Sequence, residues 1–140
     1  MQNYFKVQFA TSFIMTVLAV VFLAQTAVAF NTPDQWKILG KRTVKFSLDH
    51  DEIPVTVAEG TFTKIQFRVK RAGINMHRCV VHFADGSSQE IEMKENFSAG
   101  SSSRVVDLEG NKRIINRISF WYDTKNKRAK TAIVEVWGKK

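Results

Sequence analysis

An antiparallel β-sandwich of seven or eight strands is the fold this sequence predicts, with a partly closed barrel as the alternative. Three observations carry the prediction. After Trp36 the apolar residues recur with period two, the punctuation between segments is turn chemistry, and no window of ten or more residues shows a 3.6-residue period.

The segments follow in order. Val44, Phe46 and Leu48 alternate with Thr43, Lys45 and Ser47, and Ile53, Val55 and Val57 alternate with Pro54 and Thr56, around a short polar turn over Asp49–Glu52. Pro54 lacks a ladder donor and so places the second segment at a sheet edge. Glu59-Gly60 breaks the chain. Ile65, Phe67 and Val69 alternate with Lys64, Gln66, Arg68 and Lys70, which gives a half-buried strand with a basic outer side.

Arg71-Ala72-Gly73 turns the chain into Ile74–Phe83, whose later half is apolar enough to be covered on both faces. Asp85-Gly86 predicts a type I′ hairpin leading to a returning strand over Glu90–Met93. Ser98–Ser103 reads as a loop. Val105, Val106 and Leu108 form a short strand that stops at Glu109-Gly110-Asn111. The last two segments, with Ile118, Phe120 and Tyr122 in one and Ala132, Val134 and Val136 in the other, read as a hairpin across the basic connection Asp123–Lys130.

Before the strands lies a different kind of segment. Lys6 is the sole charged side chain ahead of Asp34, Phe9–Leu23 is apolar, and Ala27-Val28-Ala29 places small residues where a signal peptidase reads. Residues 1–29 therefore read as a signal peptide cleaved after Ala29, residues 30–35 as a lead-in, and residues 36–140 as one domain. The apolar run is shorter than the roughly twenty residues a spanning helix needs. Export to the periplasm or beyond follows as an expectation, with no membrane span left after cleavage.

The full chain of 140 residues has a formal net charge of +8, which falls by one when Lys6 leaves. That balance favours anionic partners, and the expected ones are anionic polysaccharide, lipopolysaccharide or an envelope protein. Export argues against nucleic acid. Cys79, the single cysteine, excludes an intramolecular disulfide and sits in the apolar run Cys79–Phe83, where it reads as a small core residue. Strict alternation would put His77 on the side of Cys79 and His82 on the other.

A resemblance adds to this reading. Trp36–Gly40 with Val44 and Phe46, Gly60-Thr61-Phe62 leading into Ile65–Val69, Val106–Gly110 with Arg113-Ile114-Ile115, and the closing Val134–Gly138 resemble a family of small secreted or periplasmic bacterial all-β domains of unknown function. The resemblance covers nearly all of residues 36–138. It implies an exported all-β domain and carries no reaction with it.

Candidate chemistry is thin. Asp49, Asp51 and Glu52 offer hard oxygen ligands for calcium but lack the one-three-five spacing of a strong loop site, so a solvated turn is the simpler reading. No His or Cys spacing supports zinc, no glycine-rich phosphate loop is present, and no serine stands in a G-x-S-x-G frame. No cofactor is expected. The basic residues give the functional signal: Lys64, Arg68 and Lys70 along one strand face, and Lys125, Lys127, Arg128 and Lys130 at a hairpin tip, with Trp121 and Trp137 as nearby aromatics. Charge interleaved with stacking surface suits a polyanion or a glycan. The sequence thus favours a non-enzymatic envelope-binding domain. A small hydrolase or lyase acting on an envelope polysaccharide, or a structural envelope component, are the rivals.

Overall fold

The period-two alternation is realised as two antiparallel sheets stacked face to face. The computed structural model describes residues 35–45, 50–123 and 131–140. The signal segment 1–29, Phe46, Leu48, Asp49 and the basic cluster Lys125, Lys127, Arg128 and Lys130 lie outside the described residues. The strands are β1 (Trp36–Lys45), β2 (His50–Pro54), β3 (Thr61–Phe62), β4 (Lys64–Lys70), β5 (Ile74–Phe83), β6 (Ser88–Phe97), β7 (Val106–Asp107), β8 (Arg113–Asp123) and β9 (Thr131–Lys139). A 3₁₀ turn over Val57–Glu59 interrupts them, where alternation alone extends the second strand.

The first sheet has the order β1-β9-β4-β7 and the second β2-β8-β5-β6, with β3 also paired to β8. This is the sandwich rather than the barrel. Inward positions of the first sheet (Val44, Ile65, Phe67, Val69, Val134, Val136) meet those of the second (Ile53, Met76, Val81, Ile118, Phe120, Tyr122), and all are fully or almost fully buried. Each such side chain contributes roughly 1.5–3 kcal/mol of burial relative to exposure. Two glycines let the layers approach. A Cβ on Gly40 would lie 2.5 Å from Ile53 Cγ2, and one on Gly138 would lie 2.7 Å from Phe62 Cδ1 and 2.8 Å from Leu39 Cδ1.

Several local expectations change. His50–Glu52, read as a turn, is strand: His50 pairs with Trp121, Asp51 with Phe120 and Glu52 with Ser119, and β2 is an edge strand as Pro54 requires. The β5–β6 hairpin forms, but Asp85 does not adopt a positive φ, so the turn is not type I′. Gly86, at φ 89°, alone takes the left-handed conformation, and its N–H donates to the Phe83 carbonyl. This is a three-residue loop closed by a glycine bulge.

The last two strands do not pair with each other. β8 lies between β2 and β5, and β9 lies between β1 and β4 in the opposite sheet. Their apolar faces meet across the core instead of lying side by side. The intervening segment, longer than the two to five residues usual in a hairpin, is the sequence cue for that. The serine-rich stretch behind β6 is also more than a loop: the Ser101 carbonyl accepts from Val69 N–H and Ser103 N–H donates to Phe67, so it lies along the edge of β4.

β5 carries a bulge. Met76 pairs with Tyr122 and Arg78 with Trp121, so His77 is an extra residue between two consecutive pairs. His77 is consequently exposed while Cys79 is buried, and the two do not share a face. β5 alternates to its end, with Val80 and His82 half-buried on the outer side, rather than being covered on both faces.

Candidate functional site

Both sheets turn an outer face to solvent, and the two faces differ in chemistry. On the first sheet the register lines up cross-strand rows. Trp36, Lys139, Lys64 and Asp107 form one; Ile38, Trp137 and Gln66 the next; Lys41, Glu135 and Arg68 the third; and Thr43, Ile133 and Lys70 the fourth. A bulge at Leu39 keeps Ile38 and Lys41 on the same side. Five basic side chains (Lys41, Lys64, Arg68, Lys70 and Lys139) share this face with the carboxylates of Asp107 and Glu135.

At its centre the Arg68 guanidinium lies over the Trp137 ring, 4.0 Å from the centroid. Such stacking holds a cation without a carboxylate, and it leaves Arg68 Nε buried with no hydrogen-bond acceptor. Glu135 is engaged by two donors: it accepts from Lys70 Nζ at 2.8 Å and from the Trp137 indole N–H at 3.1 Å. Burial alone pushes the Glu135 carboxyl up. The hydrogen bonds from Lys70 and Trp137, with the charges of Lys70 and Arg68, outweigh it and hold the group below its ordinary range. Lys64 pairs with Asp107, and Gln66 donates to the Ser103 carbonyl at 2.9 Å. Ile38 is 40% exposed beside the indole.

The outer face of the second sheet is charge-balanced. Trp121 packs against His50, with centroids 4.6 Å apart, and Arg78 lies 3.7 Å from its ring centroid. Register places His50 on the β2 side of Trp121 and Arg78 on the β5 side. The basic groups there carry acidic partners: Arg78 with Glu90 at 3.0 Å, Arg117 with Glu52 at 3.5 Å and Lys94 with Glu92 at 3.0 Å. His77 lies 2.7 Å from Asp123.

Of the residues singled out from sequence, Lys64, Arg68 and Lys70 therefore share the first sheet's outer face, and Trp137 joins them. Trp121 does not. It belongs to the opposite face, and its ring contacts are with His50 and Arg78. Ile38, Lys41 and Lys139 escaped sequence reasoning because a one-residue bulge breaks the alternation of β1, and because period two does not say which strands are neighbours.

The acidic trio is dispersed as well. Asp51 points inward, accepting from Arg42 Nε at 2.9 Å and Tyr122 Oη at 3.0 Å, whereas Glu52 faces outward toward Ser119 and Arg117. Among the described residues no group of three or more His, Cys, Asp or Glu is placed to hold a metal ion. Ser119 donates to Glu52 at 2.9 Å and lies 3.1 Å from His82 Nε2. That order puts the serine, rather than the carboxylate, against the imidazole, and Ser119 is only 2% exposed. Burial keeps the His82 imidazole below its ordinary value, aided by Arg117 and opposed by Glu52. An open cleft of about 520 Å³ between Arg71–Asn75 and Asn96–Ala99 has no carboxylate in its lining, and a smaller one of about 230 Å³ near Arg113 has Asp85 alone.

Comparison with known proteins agrees with the resemblance seen in the sequence. Residues 13–138 match the family described as Domain of unknown function (DUF2541). The chain belongs to this family. No curated protein matches this DUF2541 member. Among solved structures it is similar to a chain from the structural and functional characterization of Pseudomonas aeruginosa AlgX, at 10% identity and a TM-score of 0.48. The similarity covers 74% of the DUF2541 chain and 26% of the other, so this chain spans about a quarter of that protein's length.

Proposed function

We propose that this DUF2541 member is an exported, non-enzymatic module that binds an acidic polysaccharide of the cell envelope through the outer face of the β1-β9-β4-β7 sheet. The observation that carries the reading is the Arg68–Trp137 stack, a guanidinium 4.0 Å from an indole centroid at the centre of a face with five basic side chains. Acidic substituents seek cations while sugar rings lie on apolar surface, and this face supplies both at one place: the Arg68 guanidinium backed by the indole, and Ile38 beside it, 40% exposed. The net charge of +8 and the reading of residues 1–29 as a signal peptide support the same conclusion.

The test is binding of the full chain to polygalacturonate, by calorimetry, at low and high salt. Arg68→Ser and Trp137→Ala should each weaken binding, and high salt should weaken it further by shortening the screening length to roughly 3 Å at 1 M. Equal binding by both variants and wild type would overturn the assignment of this face. For export, fractionation with N-terminal sequencing should find a periplasmic or secreted protein starting at Phe30. A cytoplasmic protein that keeps Met1–Ala29 would refute it.

A further inference from the structure

We infer that the open cleft of about 520 Å³ between Arg71–Asn75 and Asn96–Ala99 is a second binding site, which takes a mono- or disaccharide bearing a carboxylate, with Arg71 as the group that holds the acid. The site shares no residue with the outer face of the β1-β9-β4-β7 sheet, and its failure would leave the function proposed above untouched.

Backbone conformation gives the first observation. Arg71 has a φ of 71°, in the left-handed region that favours glycine. The Ala72 N–H donates to the Lys70 carbonyl at 3.0 Å, so Lys70, Arg71 and Ala72 form a γ-turn with a positive φ at its centre, the rare and strained variety. Glycine at 71 would relieve that strain. The glycine of this turn stands two positions on instead, at Gly73, where a Cβ would lie 2.5 Å from the Phe97 carbonyl oxygen. Space dictates Gly73, whereas burial does not dictate arginine at 71, for that residue is exposed. A strained residue without a packing reason points to a binding role.

Charge gives the second. Arg42, Arg78, Arg104, Arg113 and Arg117 are each paired with a carboxylate, but Arg71 has no acidic partner among the described residues. Among those residues the cleft lining holds no carboxylate either. Asp123, opposite Asn75 on β8, is turned to His77 at 2.7 Å. A guanidinium fork matches the two oxygens of a carboxylate with parallel hydrogen bonds.

The remaining lining suits the body of a sugar. Asn75 and Asn96 are directly opposed on β5 and β6, and their uncharged amides both donate and accept, as hydroxyl groups require. The Asn75 amide nitrogen is held only by a long contact of 3.5 Å to Asp123. The volume falls within the roughly 300–1,000 Å³ of small-molecule sites. Inorganic phosphate would fill little of it and leave the amides idle.

The experiment follows backbone amide shifts of the full chain by NMR during titration with digalacturonate, its methyl ester or inorganic phosphate. Digalacturonate should shift Gly73, Asn75 and Asn96. Arg71→Gly should weaken that binding by about tenfold, the lower end for a hydrogen-bonded charge, while its melting temperature stays at or above the wild-type value. Arg71→Lys, which keeps the charge and loses the fork, should weaken it several-fold. The methyl ester should bind Arg71→Gly and wild type equally. Lys112→Ser, which removes an exposed cation next to the opposite end of β8, should change nothing. If digalacturonate shifts Gln66 and Trp137 but no cleft residue, the inference fails and the proposed function stands. If only the cleft responds, the inference stands and the sheet-face reading fails. Phosphate binding in the cleft as tightly as digalacturonate would overturn the sugar assignment. If Arg71→Gly melts below wild type yet binds as well, Arg71 serves the fold and the inference fails.

Discussion

Tyr122 donates its hydroxyl to the Asp51 carboxylate across 3.0 Å, and Arg42 reaches the other oxygen of the same carboxylate from the opposite sheet at 2.9 Å. Asp51 is only 6% exposed, so its oxygens rely on these donors for hydrogen bonds. Tyr122→Phe should cost about 1–3 kcal/mol, the range for depriving a buried acceptor of its donor. Urea denaturation would show a lower midpoint with an unchanged slope. A wild-type midpoint would mean that the carboxylate is satisfied by other means.

Gly138 is a matter of space, not of backbone freedom. The added methyl of Gly138→Ala would press on Phe62 and Leu39 at under 3 Å, and such overpacking costs about 1–3 kcal/mol. The melting temperature should fall by several degrees. Gly86 is the converse: nothing lies within 4 Å of its added Cβ, and its φ of 89° is the constraint. Gly86→Ala should cost about 1 kcal/mol through strain alone. Equal melting temperatures for Gly138→Ala and wild type would contradict the packing account.

Cys79 is fully buried, and burial pushes its thiol up to about 12, slightly opposed by the Arg104 charge. The thiolate is therefore scarce in the native state. Thiol-reagent labelling near neutral pH should be slow in the folded protein and fast in urea. Labelling at the same rate in both would show that the core around β5 opens freely.

The His82 imidazole titrates below its ordinary value of 6.5 because burial disfavours the charged form, with Arg117 adding to the effect and Glu52 opposing it. Between the folded and unfolded pKa the unfolded chain holds the extra proton. Stability is thus full above about 6.5 and declines as pH falls through the folded value. His82→Gln should flatten part of that decline, measured as urea midpoints at about pH 5 and about pH 8. An unchanged slope would assign the acid sensitivity to other groups.

Arg104 guards an edge. Its guanidinium donates to the carbonyls of Met93 at 2.9 Å and Glu92 at 2.6 Å and pairs with Glu95 at 2.8 Å, all on β6, an edge strand of the second sheet. Arg104→Ser would leave those carbonyls open to another chain. Sedimentation of the variant should show concentration-dependent self-association absent from wild type. A monomeric variant at all concentrations would show that the edge is protected without Arg104.

The strands were legible because a half-buried strand writes its burial into alternate residues: Ile65, Phe67 and Val69 inward, Lys64, Gln66, Arg68 and Lys70 outward. What alternation leaves out is which strand lies beside which. Trp121 and Arg68 look equivalent as outward residues, yet β8 and β4 belong to different sheets, so one candidate cluster separates onto two faces. Bulges hide the rest. The extra residue at His77 turns it away from Cys79, and the one at Leu39 lets Ile38 and Lys41 join the face around Trp137. His50–Glu52 looked like a turn because polar residues on an edge strand with one solvated face resemble a loop when read in sequence.

β1 and β9, the first and last strands described, pair from Trp36 with Lys139 to Lys45 with Thr131, and β9 also separates β1 from β4. The first sheet therefore has no middle until β9 exists. Contacts of such long sequence separation are slow to form. A ribosome-bound chain could assemble the β5–β6 hairpin, but the surface built from Arg68, Trp137 and Lys41 cannot come into being before β9 is made. Loss of β9 would remove it altogether rather than trim it.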